Sequence, residues 1–178
     1  MSAMILKAIK FATEKHEGQI RKGSGEPYIV HPIMVSYILA QYKQSKNIEE
    51  LVCAALLHDT LEDTDTTFDE IVNEFTPLVA SLVMELTSDE NLIKQIGKNE
   101  YLKIKLCGIS NYGLILKLAD RLGNISDNPS DQMLNDTIEL IAHIRKNRKL
   151  TVSQSSIVMD IVDKCRAIIN QRKIPAGK

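Results

Sequence analysis

The sequence predicts an all-α protein, a compact bundle of about eight to ten helices. Three observations carry that expectation. Apolar residues recur at helical spacing along most of the chain, as Met4, Ile5, Ala8, Phe11 and Ala12 do at its start. Continuous alternation of apolar and polar residues, the mark of a half-buried strand, is hard to find. Leu and Ile are plentiful, Trp is absent and aromatics make up 4% of the residues, so the chain is poor in the large rings that favour sheets.

Taken in order, residues 3–17 read as an amphipathic helix. The stretch 18–30, GQIRKGSGEPYIV, reads as a loop, because glycine relaxes backbone sterics and proline restricts the residue before it. A helix then runs from about Pro32 to Tyr42, since proline is tolerated in a first turn. Asn47 is placed to cap the next helix, which carries Leu51, Val52, Ala55 and Leu56 towards His58 and Asp59. Residues 60–67 are polar and turn-like. Thr67 and Glu70 have the spacing of a capping box and predict a short helix to about Phe75. Thr76 and Pro77 open a helix through Leu86, 87–97 reads as a loop, and 98–108 reads as a helix. Ser110 or Asn111 starts a helix containing Leu114, Leu118 and Leu122, with Asp120 and Asn124 on one face. After a break at 126–130, helices near 131–146 and 152–172 complete the bundle, and the tail 173–178 is expected to fray. No repeat, low-complexity tract or linker divides the sequence, so residues 1–178 are expected to form a single domain.

Composition narrows the function. With 44% hydrophobic and 25% charged residues the chain can bury a core. Its 22 basic and 23 acidic residues leave a net charge of -1, without the basic excess of a DNA- or RNA-binding protein. No apolar run reaches the ~18 residues that span a bilayer, and the first seven residues make a poor signal peptide. Cys53, Cys107 and Cys165 are odd in number and widely spaced, which fits neither a disulfide scaffold nor a zinc–thiolate site. They read as core thiols in a reducing compartment, and a cytoplasmic location is the expectation.

Three pieces of the sequence can do chemistry. His58 and Asp59 are adjacent metal-capable side chains at the end of the apolar run 54–57, followed by Glu62, Asp63 and Asp65. Neighbours on a helix point about 100° apart and rarely converge, although they reach one ion more easily near a helix end. The dipeptide alone is a weak signal, because such a pair is far more often ordinary helix-end polarity than a ligand pair. His31 follows the glycine-rich loop, where a capping or packing histidine is common. Asp120 is an acid in an otherwise apolar helical setting. Lys117 or Arg121 can simply pair with it, but if buried it must be paired, protonated or metal-bound. Together these residues offer two imidazoles and two carboxylates, a set suited to a divalent first-row metal that ionises water and screens phosphate oxygen. Arg21 and Lys22 in the loop are suited to an anionic ligand. Glu62 and Asp63 are suited to ordering a water or moving a proton, or form a solvated acidic turn. No GxxxxGK[ST], HExxH or GxSxG is present, and 23–25 lacks the strand context of a dinucleotide fingerprint.

Four segments then carry a resemblance. They are His16-Glu17-Gly18-Gln19-Ile20-Arg21-Lys22, Gly25-Glu26-Pro27-Tyr28-Ile29-Val30-His31-Pro32, the run 54–64 (AALLHDTLEDT) and the run 116–124 (LKLADRLGN). In this order they resemble the HD-domain hydrolases of the RelA/SpoT class, especially the small stand-alone alarmone hydrolases. The resemblance covers about residues 3–128 and is looser over the helices at 131–172. It implies an HD-domain bundle in which His31, His58, Asp59 and Asp120 hold Mn²⁺, and Glu62 and Asp63 position or activate the attacking water. It implies that Arg21 and Lys22 border the pocket of a small guanine nucleotide and that Asn124 contacts its sugar region. The implied reaction removes the 3′-pyrophosphate of ppGpp or pppGpp, giving GDP or GTP. Two positions depart from the family's pattern. Gly123 stands where a bulkier residue is common. Asp127 stands near the nucleotide where threonine is common, so its carboxylate is expected either to repel phosphate or to favour a different base or sugar contact. Two other readings stay open: a metal-dependent phosphatase of another nucleotide such as NADPH, and a catalytically silent nucleotide-binding protein.

Overall fold

A computed structural model describes residues 2–22 and 24–173, and these form eleven helices. The nine expected from the sequence are all present. α1 (Ala3–Lys15) is capped by the Ser2 hydroxyl, which accepts from Met4 N–H. α2 (Val30–Tyr42) starts slightly ahead of Pro32. Asn47 stands at the N-cap of α3 (Ile48–Leu57), but its side chain makes no capping bond there. α4 (Thr60–Asp63) is a single turn formed where the sequence reads as a polar turn. The Thr67–Glu70 capping box forms at the head of α5 (Phe68–Glu74), with both reciprocal bonds present. Thr76 caps α6 (Pro77–Leu86), which has Pro77 in its first turn.

α7 (Glu90–Ile96) corrects the reading of 87–97 as a loop. The Asp89 carboxylate accepts from the N–H groups of Asn91 and Leu92, and Leu92 and Ile93 pack against the core. A good cap and two apolar contacts suffice for a two-turn helix in a tertiary setting. α8 (Lys98–Gly108) comes next. Ser110 caps α9 (Asn111–Ser126), and Ser130 caps α10 (Asp131–Asn147). α11 is Val152–Lys173, so the start of the expected frayed tail is helical, while residues 174–178 lie outside the described residues. The 18–30 loop contains one isolated antiparallel bridge, between Ile20 and Pro27. Cys53 and Cys165 are buried as expected, but Cys107 is only half-buried. No helix among the described residues is long and apolar enough to cross a membrane.

Three helices position the site. α2, α3 and α9 pack against one another, with α1 and α6 over α3, α11 behind α9, and α10 against α8 and α11. Leu39, Leu51, Leu56, Leu57, Leu114, Leu116 and Leu118 are almost wholly buried where these helices meet. Each fully buried leucine contributes about 1.5–3 kcal/mol. That apolar frame offsets the cost of the charged side chains at its centre, since holding ions out of water costs several kcal/mol apiece.

Candidate active site

The side chains singled out from the sequence meet at the junction of those helices. His31 enters from the first turn of α2 and Asp120 from the middle of α9. His58 ends α3 and Asp59 precedes α4, so the pair stands at a helix break. At that break the two neighbouring side chains do converge. His31 Nε2 lies 3.1 Å from Asp120 Oδ1 and 3.8 Å from Asp59 Oδ2. His58 Nε2 lies 2.9 Å from Asp59 Oδ2 and 3.7 Å from Asp120 Oδ1. The donor atoms of His31, His58 and Asp120 all fall within 4.8 Å of one another, and Asp59 touches both histidines. His31 and His58 are each 2% exposed and Asp120 is 8% exposed.

The donor set fits a divalent cation. His58 Nδ1 is 2.8 Å from the Ala55 carbonyl, so its N–H donates there. The lone pair then sits on Nε2, which points at two carboxylates and has no aligned hydrogen-bond partner. Lone pair facing carboxylate is repulsive unless a proton or a cation lies between them. Burial disfavours an imidazolium, but Asp59 and Asp120 outweigh it and push His58 up to about 10. A divalent cation would take the place of that proton. Burial also opposes ionised carboxylates, yet His58 holds Asp59 low, and Lys117 with the two histidines holds Asp120 well below the usual range.

A second layer ties this centre to an open cleft. Lys117 Nζ lies 3.2 Å from Asp120 Oδ2, with only 14% of its side chain exposed. Of the two cations that flank Asp120 in the sequence, Lys117 pairs with it and Arg121 does not. Burial lowers the Lys117 ammonium's proton affinity, but Asp120, Asp59 and Glu62 raise it on balance. Asn124 donates to Asp120 Oδ1 at 2.6 Å. The Tyr28 hydroxyl donates to Asp59 Oδ2 at 2.6 Å and lies 3.1 Å from Asp63 Oδ2. Burial and then Asp59 hold that phenol protonated. His16 lies behind Tyr28, with ring centroids 4.6 Å apart, and its Nδ1 is 2.8 Å from Gln19 Oε1. Glu62 is exposed and accepts from the Ser88 backbone N–H. The adjoining cleft, about 600 Å³, is walled in part by Arg21, Lys22, Asp63, Asn124 and Asp127.

Residues 8–138 match the HD domain family. The chain belongs to that family. The HD-domain protein is 40% identical over 127 residues to the zebrafish (Danio rerio) guanosine-3′,5′-bis(diphosphate) 3′-pyrophosphohydrolase MESH1, an alignment covering 71% of this chain and 69% of the relative. It is 44% identical to the human (Homo sapiens) protein of the same name, over 71% of this chain and 70% of that one. It also resembles a solved structure described as a metazoan ortholog of SpoT that hydrolyses ppGpp, with a TM-score of 0.76 and 29% identity over 97% of both chains.

Both departures from the family's pattern have a structural setting in this HD-domain protein. Arg21 Nε donates to Asp127 Oδ2 at 2.6 Å, and an Arg21 terminal nitrogen reaches Asn124 Oδ1 at 3.3 Å. The Asp127 carboxylate is therefore matched by a guanidinium rather than turned bare towards the cleft. A Cβ at Gly123 would sit 3.4 Å from Met34 and Val35 and 3.6 Å from the His31 ring. The glycine leaves a small gap behind that ring. Tyr28 was not singled out by the sequence analysis, although it lies in the 25–32 motif three residues before His31. Its link to Asp59 spans 31 residues, and no local spacing encodes it.

Proposed function

We propose that this HD-domain protein is a metal-dependent hydrolase that removes the 3′-pyrophosphate of ppGpp and pppGpp, giving GDP or GTP and pyrophosphate. One observation carries the reading. Two buried imidazoles and two carboxylates from distant segments converge beside a cleft bearing Arg21, Lys22 and Asn124. The names of the relatives support the substrate class. His31, His58, Asp59 and Asp120 would hold the cation, and manganese is the ion the family resemblance implies. When bound, that ion supplies a Lewis acid that screens phosphate charge and acidifies water.

The chain's own residues do the rest. Asp63, linked to Asp59 through the Tyr28 hydroxyl, and Glu62, next to it on α4, orient the attacking water and accept its proton. The water oxygen adds to the phosphorus nearest the ribose, the bond from phosphorus to the 3′ oxygen breaks, and that oxygen leaves as a hydroxyl with a proton returned to it. Tyr28 keeps Asp59 and Asp63 in register by its hydroxyl. Arg21 and Lys22 border the nucleotide, with Arg21 held in place by Asp127, and Asn124 meets the sugar while fixing Asp120. The proposed working unit is residues 1–178 as a single HD-type phosphohydrolase domain in the cytoplasm. It acts on a small guanine nucleotide without DNA, RNA or membrane.

The test is to incubate purified protein with ppGpp and Mn²⁺ and follow GDP and pyrophosphate. Both should appear in equal amounts. Neither product from folded, metal-loaded protein would overturn the reading. Release of phosphate from NADPH in preference to pyrophosphate from ppGpp would overturn the substrate and keep the site.

A further inference from the structure

We infer that His16 is a positioning residue, which acts through Gln19 and Tyr28 to set the place of Asp63. This rests on the hydrolase reading, in which Asp63 orients the attacking water. His16 is 3% exposed and belongs neither to the cation donors nor to the cleft wall. It stands at the C-cap of α1, and the next three residues turn back on it. Gln19 N–H donates to the His16 carbonyl at 3.1 Å, and Gly18 takes a φ of 75° at the third position of that turn, a conformation that glycine adopts without strain. Tyr28 N–H donates to the Gln19 carbonyl at 2.9 Å. One short turn therefore brings the Gln19 amide and the Tyr28 ring against a single imidazole.

The hydrogen bonds decide which atom does what. The Asp63 backbone carbonyl only accepts, so Gln19 Nε2, 2.6 Å away, donates to it. Gln19 Oε1 then faces His16 Nδ1 at 2.8 Å, and that ring nitrogen must carry the proton. His16 Nε2 is left as a bare lone pair, buried and without a partner. A buried acceptor with no donor is destabilising, so a ring that served only to pack against Tyr28 would do better as phenylalanine. What the imidazole adds is Nδ1–H, which fixes the way the Gln19 amide faces. Asp63 is thereby held at two points. Its carbonyl accepts from Gln19, and its carboxylate lies 3.1 Å from the Tyr28 hydroxyl, whose ring His16 backs at 4.6 Å between centroids. α4 is a single helical turn, too short to hold a carboxylate in place unaided.

The test compares two replacements by their turnover of ppGpp with Mn²⁺. His16→Phe keeps a ring beside Tyr28 and loses the donor. His16→Asn loses the ring and keeps an amide N–H near the place of Nδ1. Positioning predicts that His16→Phe lowers kcat about tenfold, a part of the roughly 10²–10⁴-fold that a placed acid or base contributes, with KM within about threefold. His16→Asn should recover most of that loss, whereas a packing role predicts the reverse order. In a Gln19→Leu background His16→Phe should cost no further turnover, because the link to Asp63 is already cut. Both single variants should still bind about one Mn²⁺ per chain by calorimetry. Turnover at the wild-type level in His16→Phe, His16→Asn no better than His16→Phe, or additive losses in the double variant would overturn the inference. The alarmone reading fails separately: a wild type that spares ppGpp and hydrolyses another nucleotide loses that reading alone, and the same order of variants is expected on the nucleotide it does hydrolyse.

Discussion

Two charge clusters in this molecule use the same residue types and stand in opposite environments. At the surface, Lys15 at the end of α1 is 19% exposed and lies 3.2 Å from Asp65 and 3.0 Å from Glu70, whose side chains are 89% and 42% exposed, so the contrast with the interior lies in the acids. In the interior, Lys117 lies 3.2 Å from Asp120 beside Asp59 and the two histidines, with 14% and 12% of the paired side chains exposed. Water and salt screen the first cluster, so it costs little and contributes little. The second requires several ions or polar rings to leave water, and pairing alone rarely compensates for that loss. The interior cluster also leaves His58 Nε2 aimed at carboxylates with no aligned donor between them. Burial, rather than residue type, marks the cluster that a ligand completes.

The contrast between the clusters is tested most severely at Asp120. Asp120→Ala should lower pyrophosphate release from ppGpp by about 10³-fold or more, since it removes a donor to the cation. It should also cost about 3–5 kcal/mol of stability in denaturant titration, because Lys117 loses its buried partner. Lys117→Met tests the next layer, leaving every cation donor in place. Turnover should fall about 10–100-fold, as for other outer partners of metal ligands, and Lys117→Arg should recover part of it. Turnover at the wild-type level in Lys117→Met would make that ammonium a bystander. The smallest effect belongs to the surface cluster. Lys15→Met should leave turnover within about twofold of wild type and lower Tm slightly. A loss matching that of Lys117→Met would show that exposure does not separate the two clusters.

How much of the molecule was legible in the sequence depends on the range of the interactions. The Thr67–Glu70 box, the Thr76 and Ser110 caps and the start of α10 are local features, and each formed where its spacing placed it. α7 escaped because its two inward apolar residues are too few to set a period, and its cap at Asp89 sits in a polar stretch. The four suggested cation donors were readable as residues with metal chemistry, and the family resemblance grouped them. Their convergence depends on α2, α3 and α9 packing together, which no spacing contains. Asp127 illustrates the limit best. From the sequence its carboxylate is a puzzle beside a phosphorylated ligand, and the answer is Arg21, 106 residues away.

The most direct measurement is calorimetric titration of Mn²⁺ into metal-stripped protein at pH 7, repeated in two buffers of different ionisation enthalpy. His58 stands above its ordinary value when no cation is present, so it is protonated at that pH and must give up its proton to become a ligand. About one cation should bind per chain, with release of close to one proton, and both should be lost in Asp120→Ala. Binding that survives unchanged in Asp120→Ala would contradict a cation centre built from these four side chains, whereas binding without proton release would contradict only the raised His58.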